Sequence, residues 1–215
     1  MEEIGRRIQL WLSEELDLSW EEAAVLRQRY LEQHGTTMQG LMAEGSIDVA
    51  HYLEFVHDIP VEDYLDSDSE LQAMLKRIEL RKVIYTNATS AHALRVLRAL
   101  GVAESFERIV GIEEVGLHNK FNRHAYERML ALLEAKGSEC LMVEDSANNL
   151  PPAKALGMKT ILIDWRGGTR LEKQVQDSVD FVVADVLEVE QIVDRFLQPD
   201  RDSGLPLDPR AVHRK

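Results

Sequence analysis

Three short strings in this sequence carry side chains that could do chemistry. Thr86-Asn87 puts a hydroxyl and an amide directly after the apolar run Val83-Ile84-Tyr85. At the end of a strand and ahead of a helix, such a pair can offer donors to a phosphate oxygen. Glu144-Asp145 follows Leu141-Met142-Val143 and sets two carboxylates side by side, with Ser146 and Asn149 just beyond. Hard oxygen donors of this kind suit Mg²⁺, which keeps one or two protein carboxylates and completes its shell with water and substrate phosphate. Lys120 lies in a loop between the two strings, where its ammonium can neutralise phosphate charge. Each string also has an ordinary structural reading. Thr-Asn is turn and cap chemistry, acidic residues and Ser before a helix are N-cap and dipole chemistry, and a loop lysine is most simply solvated. Their order along successive strand–helix units is what favours the ligand reading.

Those units are visible in the hydrophobic pattern. Lys82–Thr86 is a β-branched run that reads as a strand, followed by a helix over Ser90–Leu100 with Leu94 and Leu97 on one side and Gly101 at its stop. A helix over Arg123–Lys136, closed by Gly137, leads into a strand at Cys140–Glu144. Pro151-Pro152 can open a short helix, since proline's missing amide is harmless in the first turn. Gly157 ends that helix, and Thr160–Ile163 and Phe181–Val183 read as two more strands before a helix over Leu187–Phe196. Gly167-Gly168 is a turn. Apolar strands alternating with helices predict an α/β fold with a parallel, Rossmann-like sheet covered on both faces, and ligands bind at the carboxyl ends of such strands.

The first sixty or so residues read differently, as helices only. Ile4, Ile8, Trp11 and Leu12 share one face of a first helix. Ser19 and Glu22 have capping-box spacing for a second, which ends near Gly35. Shorter helices are expected over Met38–Ala43 and Asp48–Val56. The resulting division is a helical cap over 1–66, an α/β core over 67–197 and a flexible tail over 198–215.

Composition narrows the class of function. The 215 residues carry a formal net charge of −13, with no basic stripe for a nucleic-acid backbone. A small phosphorylated ligand is not excluded, because a few local donors outweigh a distant field. Cys140 is the single cysteine, so a reduced compartment and a small buried hydrophobe are the expectations. No signal peptide and no run of about 20 apolar residues is visible, and the expected location is the cytoplasm, with no membrane partner. His118 and His124 lack zinc-pair spacing, and His51 and His57 fall on the expected cap, so all four read as structural.

The strings together resemble the haloacid dehalogenase superfamily of phosphohydrolases. Val83–Asn87 is similar to its second motif, Lys120 to its third-motif lysine, and Leu141–Leu150 to its metal-binding fourth motif, followed by Ala153–Met158. More narrowly, His34-Gly35-Thr36-Thr37 with Gly40-Leu41, then Phe55–Asp58, resembles the helical cap of pyrimidine 5′-nucleotidase-like members. The resemblance covers about residues 4 to 190. It implies phosphate binding by Thr86, Asn87 and Lys120, Mg²⁺ on Asp145 and Glu144 with Asn149 behind them, and substrate contact through Thr36 and Thr37. The implied substrate is a nucleoside monophosphate or another small phosphate ester.

Two departures bear on activity. Family members open with a central strand ending Asp-x-Asp, whose first Asp attacks phosphorus. Here the chain starts inside what resembles the cap, so the first central strand is missing. Asp66-Ser67-Asp68 follows no convincing strand and reads as a cap for a helix over Glu70–Ile78. Lys120-Phe121-Asn122 stands where Lys-Pro-Asp is usual, which is expected to loosen the loop and remove an orienting acid. Either the flanking strands pair, another segment fills the gap, or the natural protein begins upstream; the last is the leading expectation, because buried unpaired backbone groups cost about 1–3 kcal/mol each. As written, the chain is expected to be inactive or nearly so. The alternatives are a non-catalytic phosphate- or nucleotide-binding descendant and, more weakly, a dehalogenase-type enzyme, which would need no acidic metal pair.

Overall fold

The computed structural model of the chain describes residues 2–45, 47–168 and 171–197. The expected tail over 198–215 lies outside the described residues. The chain divides into two compact units, one built from Met1–Asp68 with Arg81–Met129, the other from Ser69–Leu80 with the chain from Leu130 onward.

The first unit begins with four helices, α1 (Glu2–Glu15), α2 (Trp20–His34), α3 (Thr37–Glu44) and α4 (Val49–His57). Their starts follow from local chemistry. Ser19 and Glu22 form the expected capping box, Thr36 caps α3 and Asp48 caps α4, each side chain accepting from a first-turn amide. Helix α2 stops because Gly35 turns left-handed at φ 79°, a conformation that a β-carbon disfavours. The apolar faces of the four helices bury Trp11, Leu12, Tyr30, Met38, Tyr52 and Val56, with the ring of Trp11 set edge-on to Tyr52 at 5.0 Å. Ile112 is buried in this same cluster and Leu117 packs against it, although both lie far along the chain.

The same unit holds a two-stranded parallel sheet, β1 (Val83–Tyr85) with β2 (Arg108–Val110), in the register Val83–Arg108 to Tyr85–Val110. Helix α6 (Ser90–Ala99) connects them, with its Thr89 cap accepting from the His92 amide. Strand β2 has no counterpart in the sequence reading: at three residues, one of them Arg, it is too short and too polar to show a period. The chain between α4 and β1 makes a 3₁₀ turn at Val61–Asp63, so Asp66-Ser67-Asp68 does not close a strand.

The second unit contains α5 (Ser69–Arg77) and a three-stranded parallel sheet, β3 (Leu141–Glu144), β4 (Lys159–Ile163) and β5 (Phe181–Val183), in the order β3-β4-β5. Helix α7 (Arg123–Leu133) leads toward it, shorter than expected because the left-handed turn at Glu134 ends it. Helix α8 (Leu150–Ala155) carries its two prolines in the first turn, and α9 (Lys173–Gln176) and α10 (Val189–Leu197) complete the unit. Ile161, Val183, Val189 and Val193 form its core, joined by Ile78 and Leu80. Cys140 lies just before β3 rather than in it; it is half-buried, and its thiol faces the Lys136 carbonyl at 3.3 Å.

Both sheets are parallel, as the alternating pattern requires. Among the described residues the strands form two sheets, β1-β2 in the first unit and β3-β4-β5 in the second.

Candidate active site

Strand β1 and the loop before α7 bring together three of the residues singled out in sequence. The Thr86 amide extends the β1–β2 ladder by donating to Val110 at 3.1 Å, and its hydroxyl accepts from the Ala88 amide at 3.0 Å. The side chain therefore closes a tight turn at the strand tip. Asn87 reaches across to the lysine loop, its carbonyl oxygen accepting the Lys120 backbone amide at 2.9 Å. A solvated lysine would be the ordinary outcome, yet Lys120 is only 8% exposed. Its ammonium stands 5.2 Å from the centre of the Tyr85 ring, an arrangement in which the ring's negative face offsets part of the charge's desolvation. Tyr85 is itself braced edge-on by the fully buried Tyr126 at 5.2 Å.

The N-terminus of α6 is already engaged by acids. The Ser90 amide donates to Glu113 at 2.8 Å, and the Ser90 hydroxyl donates to Glu114 at 3.1 Å while accepting from the Gly111 amide at 3.0 Å. An oxygen ligand near Thr86 and Asn87 would thus depend on their side chains and Lys120, with the helix-end amide of Ser90 occupied.

Hydrogen bonds order the lysine loop around the Phe121-Asn122 departure. Asn119 accepts the Phe121 amide on its side-chain oxygen at 3.1 Å, and its backbone carbonyl accepts the Asn122 amide at 3.0 Å. Asn122 then accepts from the His124 amide at 2.9 Å, capping α7. These bonds use local side-chain acceptors to tie the loop to its own backbone.

Thr36 and Thr37 lie at the α2–α3 junction of the same unit. Thr36 is half-buried, and its hydroxyl accepts the Gln39 amide at 3.3 Å. Thr37 is only 2% exposed and lies beside the Tyr52 hydroxyl, whose ionisation burial pushes up.

Glu144, Asp145 and Asn149 form their own cluster in the second unit, at the carboxyl end of β3. Glu144 is 6% exposed, and one of its carboxylate oxygens accepts the amides of Asp145 and Ser146 at 3.1 and 3.0 Å. It folds the loop back on itself. Asp145 is exposed at the tip of that loop. Asn149 is buried, with its amide donating to the Ser146 carbonyl at 2.9 Å and so closing the turn into α8. Among the described residues there is no group of three or more His, Cys, Asp or Glu side chains that could cage a metal. Mg²⁺ needs no such cage, and the hard oxygens of an exposed Asp beside an ordered Glu are the donor type it takes. The residues fit the ion.

Sequence reasoning passed over Asn119 and His92. Asparagine before a lysine carries no spacing signal, and His92 looked like any residue of an amphipathic helix. In the fold both are nearly inaccessible, at 3% and 6% exposed.

Residues 3–157, well over half of the chain, match the family described as haloacid dehalogenase-like hydrolase. Phosphate metabolism protein 8 of Saccharomyces cerevisiae is 24% identical over 201 residues, which cover 84% of this chain and 63% of that protein. The chain thus spans less than two thirds of the length of that relative. Among solved structures, a HAD phosphatase from Thermococcus onnurineus superposes with a TM-score of 0.58 at 18% identity, over 86% of each chain. The HAD-hydrolase YfnB from Bacillus subtilis, bound to magnesium, superposes with a TM-score of 0.53 at 15% identity, over 86% of this chain and 78% of its own. At such identities the structures speak to the fold alone, and the fold agrees with the sequence match: this chain belongs to the haloacid dehalogenase-like hydrolases.

Proposed function

We propose that this chain holds the phosphate- and metal-handling parts of a Mg²⁺-dependent phosphohydrolase for small phosphate esters. The observation that carries the reading is the buried Lys120, tied through its amide to Asn87 at the tip of β1. In this reading Thr86, Asn87 and Lys120 bind the phosphate, Asp145 and Glu144 hold Mg²⁺, and Asn149 orders the acidic loop. Residues 1–66 form the substrate cap and 67–197 the core, with Thr36 and Thr37 on the substrate side, and the narrower cap resemblance favours a nucleoside monophosphate. The name of the yeast relative refers to phosphate metabolism, and YfnB was solved with magnesium; both accord with this reading. Covalent phosphoryl transfer needs a carboxylate nucleophile, and no Asp of 1–215 is assigned that role, so the chain alone binds without turning over.

A second reading is a non-catalytic phosphate binder. What favours it is the structural work of the two departing residues: Phe121 packs on Gly35, and Asn122 caps α7.

Thermal unfolding with Mg²⁺ and uridine monophosphate tests the binding shared by both readings. At a ligand concentration of about 100 times Kd, stabilisation of about 2.7 kcal/mol is expected, abolished in Lys120→Met and weakened in Asp145→Ala. No stabilisation of the parent chain by nucleotide or inorganic phosphate would sink both readings. Turnover of a phosphate ester by these residues alone would sink the second and show that the nucleophile is present.

A further inference from the structure

The lysine loop and the α2–α3 junction of the cap are held together at three consecutive odd positions. The Gln39 side-chain amide donates to the Leu117 carbonyl at 2.5 Å. The Asn119 side-chain amide donates to the His34 carbonyl at 2.6 Å and lies 3.5 Å from the Thr36 hydroxyl. The Phe121 ring lies so close over Gly35 that a β-carbon there would fall 2.6 Å from it. Lys120 sits inside this clasp, and its own amide is taken by Asn87 at the tip of β1.

Asn119 is the centre of the arrangement. Its side-chain oxygen accepts from the Phe121 amide while its nitrogen faces the His34 carbonyl, so both ends of the amide are used and its orientation is set. A side chain 3% exposed and bonded at both ends has little freedom to adjust. Leu117, two residues earlier, adopts a left-handed φ of 63°, a strained conformation that persists only where its surroundings over-determine it. Its side chain packs against the cap core and its carbonyl receives Gln39, which supplies that constraint.

We infer that Asn119 is a positioning residue, which fixes the Lys120 ammonium relative to the cap junction carrying Thr36 and Thr37, so that displacement of the junction displaces the lysine. The inference rests on the proposed role of Lys120 in phosphate binding and extends it. Asn119 contacts no phosphate in this scheme; it acts through the lysine. A ligand that engages the cap threonines would draw Lys120 with it through its neighbour Asn119, and the reverse coupling follows by linkage.

The Tyr85 ring provides the readout. Protons on the ε-carbon of Lys120, near the face of that ring, carry a ring-current shift that depends steeply on position. In the 215-residue chain with ¹³C-labelled lysine, the signal lost in Lys120→Arg identifies the residue. Asn119→Asp retains an acceptor for Phe121 but puts an oxygen against the His34 carbonyl, and Asn119→Ala removes both bonds. Both variants are expected to move the Lys120 signal toward its random-coil position and to weaken inorganic phosphate binding in the presence of Mg²⁺ on the order of tenfold, the scale of one lost hydrogen bond. An unmoved signal with unchanged phosphate affinity in folded Asn119 variants overturns the inference. Should those variants lose the dispersed spectrum of a folded chain, Gln39→Ala decides: it opens the neighbouring link without touching the loop's internal bonds, and an unmoved Lys120 signal there overturns the inference equally. Failure of the functional reading looks different. Phosphate would then leave the parent Lys120 signal in place, while the shift caused by the variants would still report the clasp.

Discussion

Acidification should weaken the first unit through one pair of imidazoles. His57, the last residue of α4, stacks on His92 of α6 with ring centres 4.5 Å apart and planes 24° from parallel. The Thr89 hydroxyl lies 3.5 Å from the His57 ring, and Arg95 donates to the His57 carbonyl at 3.3 Å. Burial, and then the neighbouring His92, push His57 down from 6.5 to about 4. Burial and the Arg95 charge lower His92 as well. Glu54, Asp58 and Glu113 border the same groove. A histidine held neutral by the fold takes up its proton only on unfolding. Between its unfolded and folded pKa values the unfolded state therefore binds more protons, and stability falls as pH falls. The contribution is complete above 6.5, declines toward 4 and is flat below that. A gap of 6.5 minus about 4 corresponds to about 3 kcal/mol in all, of which about 2 kcal/mol is lost between pH of about 7.5 and about 5.

Urea unfolding followed by fluorescence in a Trp20→Phe, Trp165→Phe background, which leaves Trp11, a reporter buried in this unit, gives the measurement. With a slope of about 2 kcal/mol per molar, the parent midpoint should fall by about 1 M over that pH interval from His57 alone. Carboxylates and His92 add their own pH dependence to both proteins, so the decisive quantity is a difference of differences. His57→Gln should lose about 2 kcal/mol less than the parent over the same interval, whatever its stability at neutral pH. Equal losses in parent and variant would refute the reasoning and show that His57 titrates as it does in water.

Other perturbations have equally definite signs. A β-carbon at Gly137 would fall 1.9 Å from the Leu156 carbonyl, a backbone contact that no rotamer relieves, so Gly137→Ala should destabilise the second unit by about 1–3 kcal/mol or more in calorimetry. Asp180 accepts from the Thr160 amide at 3.0 Å and from Lys154 at 2.6 Å, and Thr160 is fully buried. Asp180→Ala leaves that amide unsatisfied and should cost about 1–3 kcal/mol in chemical denaturation. The partners that hold the Asp180 carboxyl below its usual range act against its burial, so this contribution should fade as pH drops below about 4. Ser19→Ala removes one half of the capping box of α2 and should lower stability by about 1 kcal/mol, while Ser19→Asn should largely retain it.

What was legible in the sequence was whatever is local. The capping box at Ser19, the stop at Gly35, the prolines in the first turn of α8 and the apolar runs of β1, β3, β4 and β5 depend on a few neighbouring residues, and the structure has them where spacing puts them. Parallel pairing follows, because strands separated by helices have little alternative. Strand β2 was invisible because its three residues gain their pairing from β1 rather than from any pattern of their own. The candidate site divides along the same line. Thr86, Lys120 and Asp145 stand out by type and position at strand ends or in loops. The burial of Lys120 against Tyr85, the bonding of Asn119 to His34 and the stacking of His57 on His92 join residues 35 to 85 positions apart. Contacts of that kind leave no periodic trace. They exist only once two elements have met, and what each group then becomes (a buried cation, a two-ended clasp, a histidine kept neutral) is decided by the neighbours that tertiary packing supplies and by the water it removes.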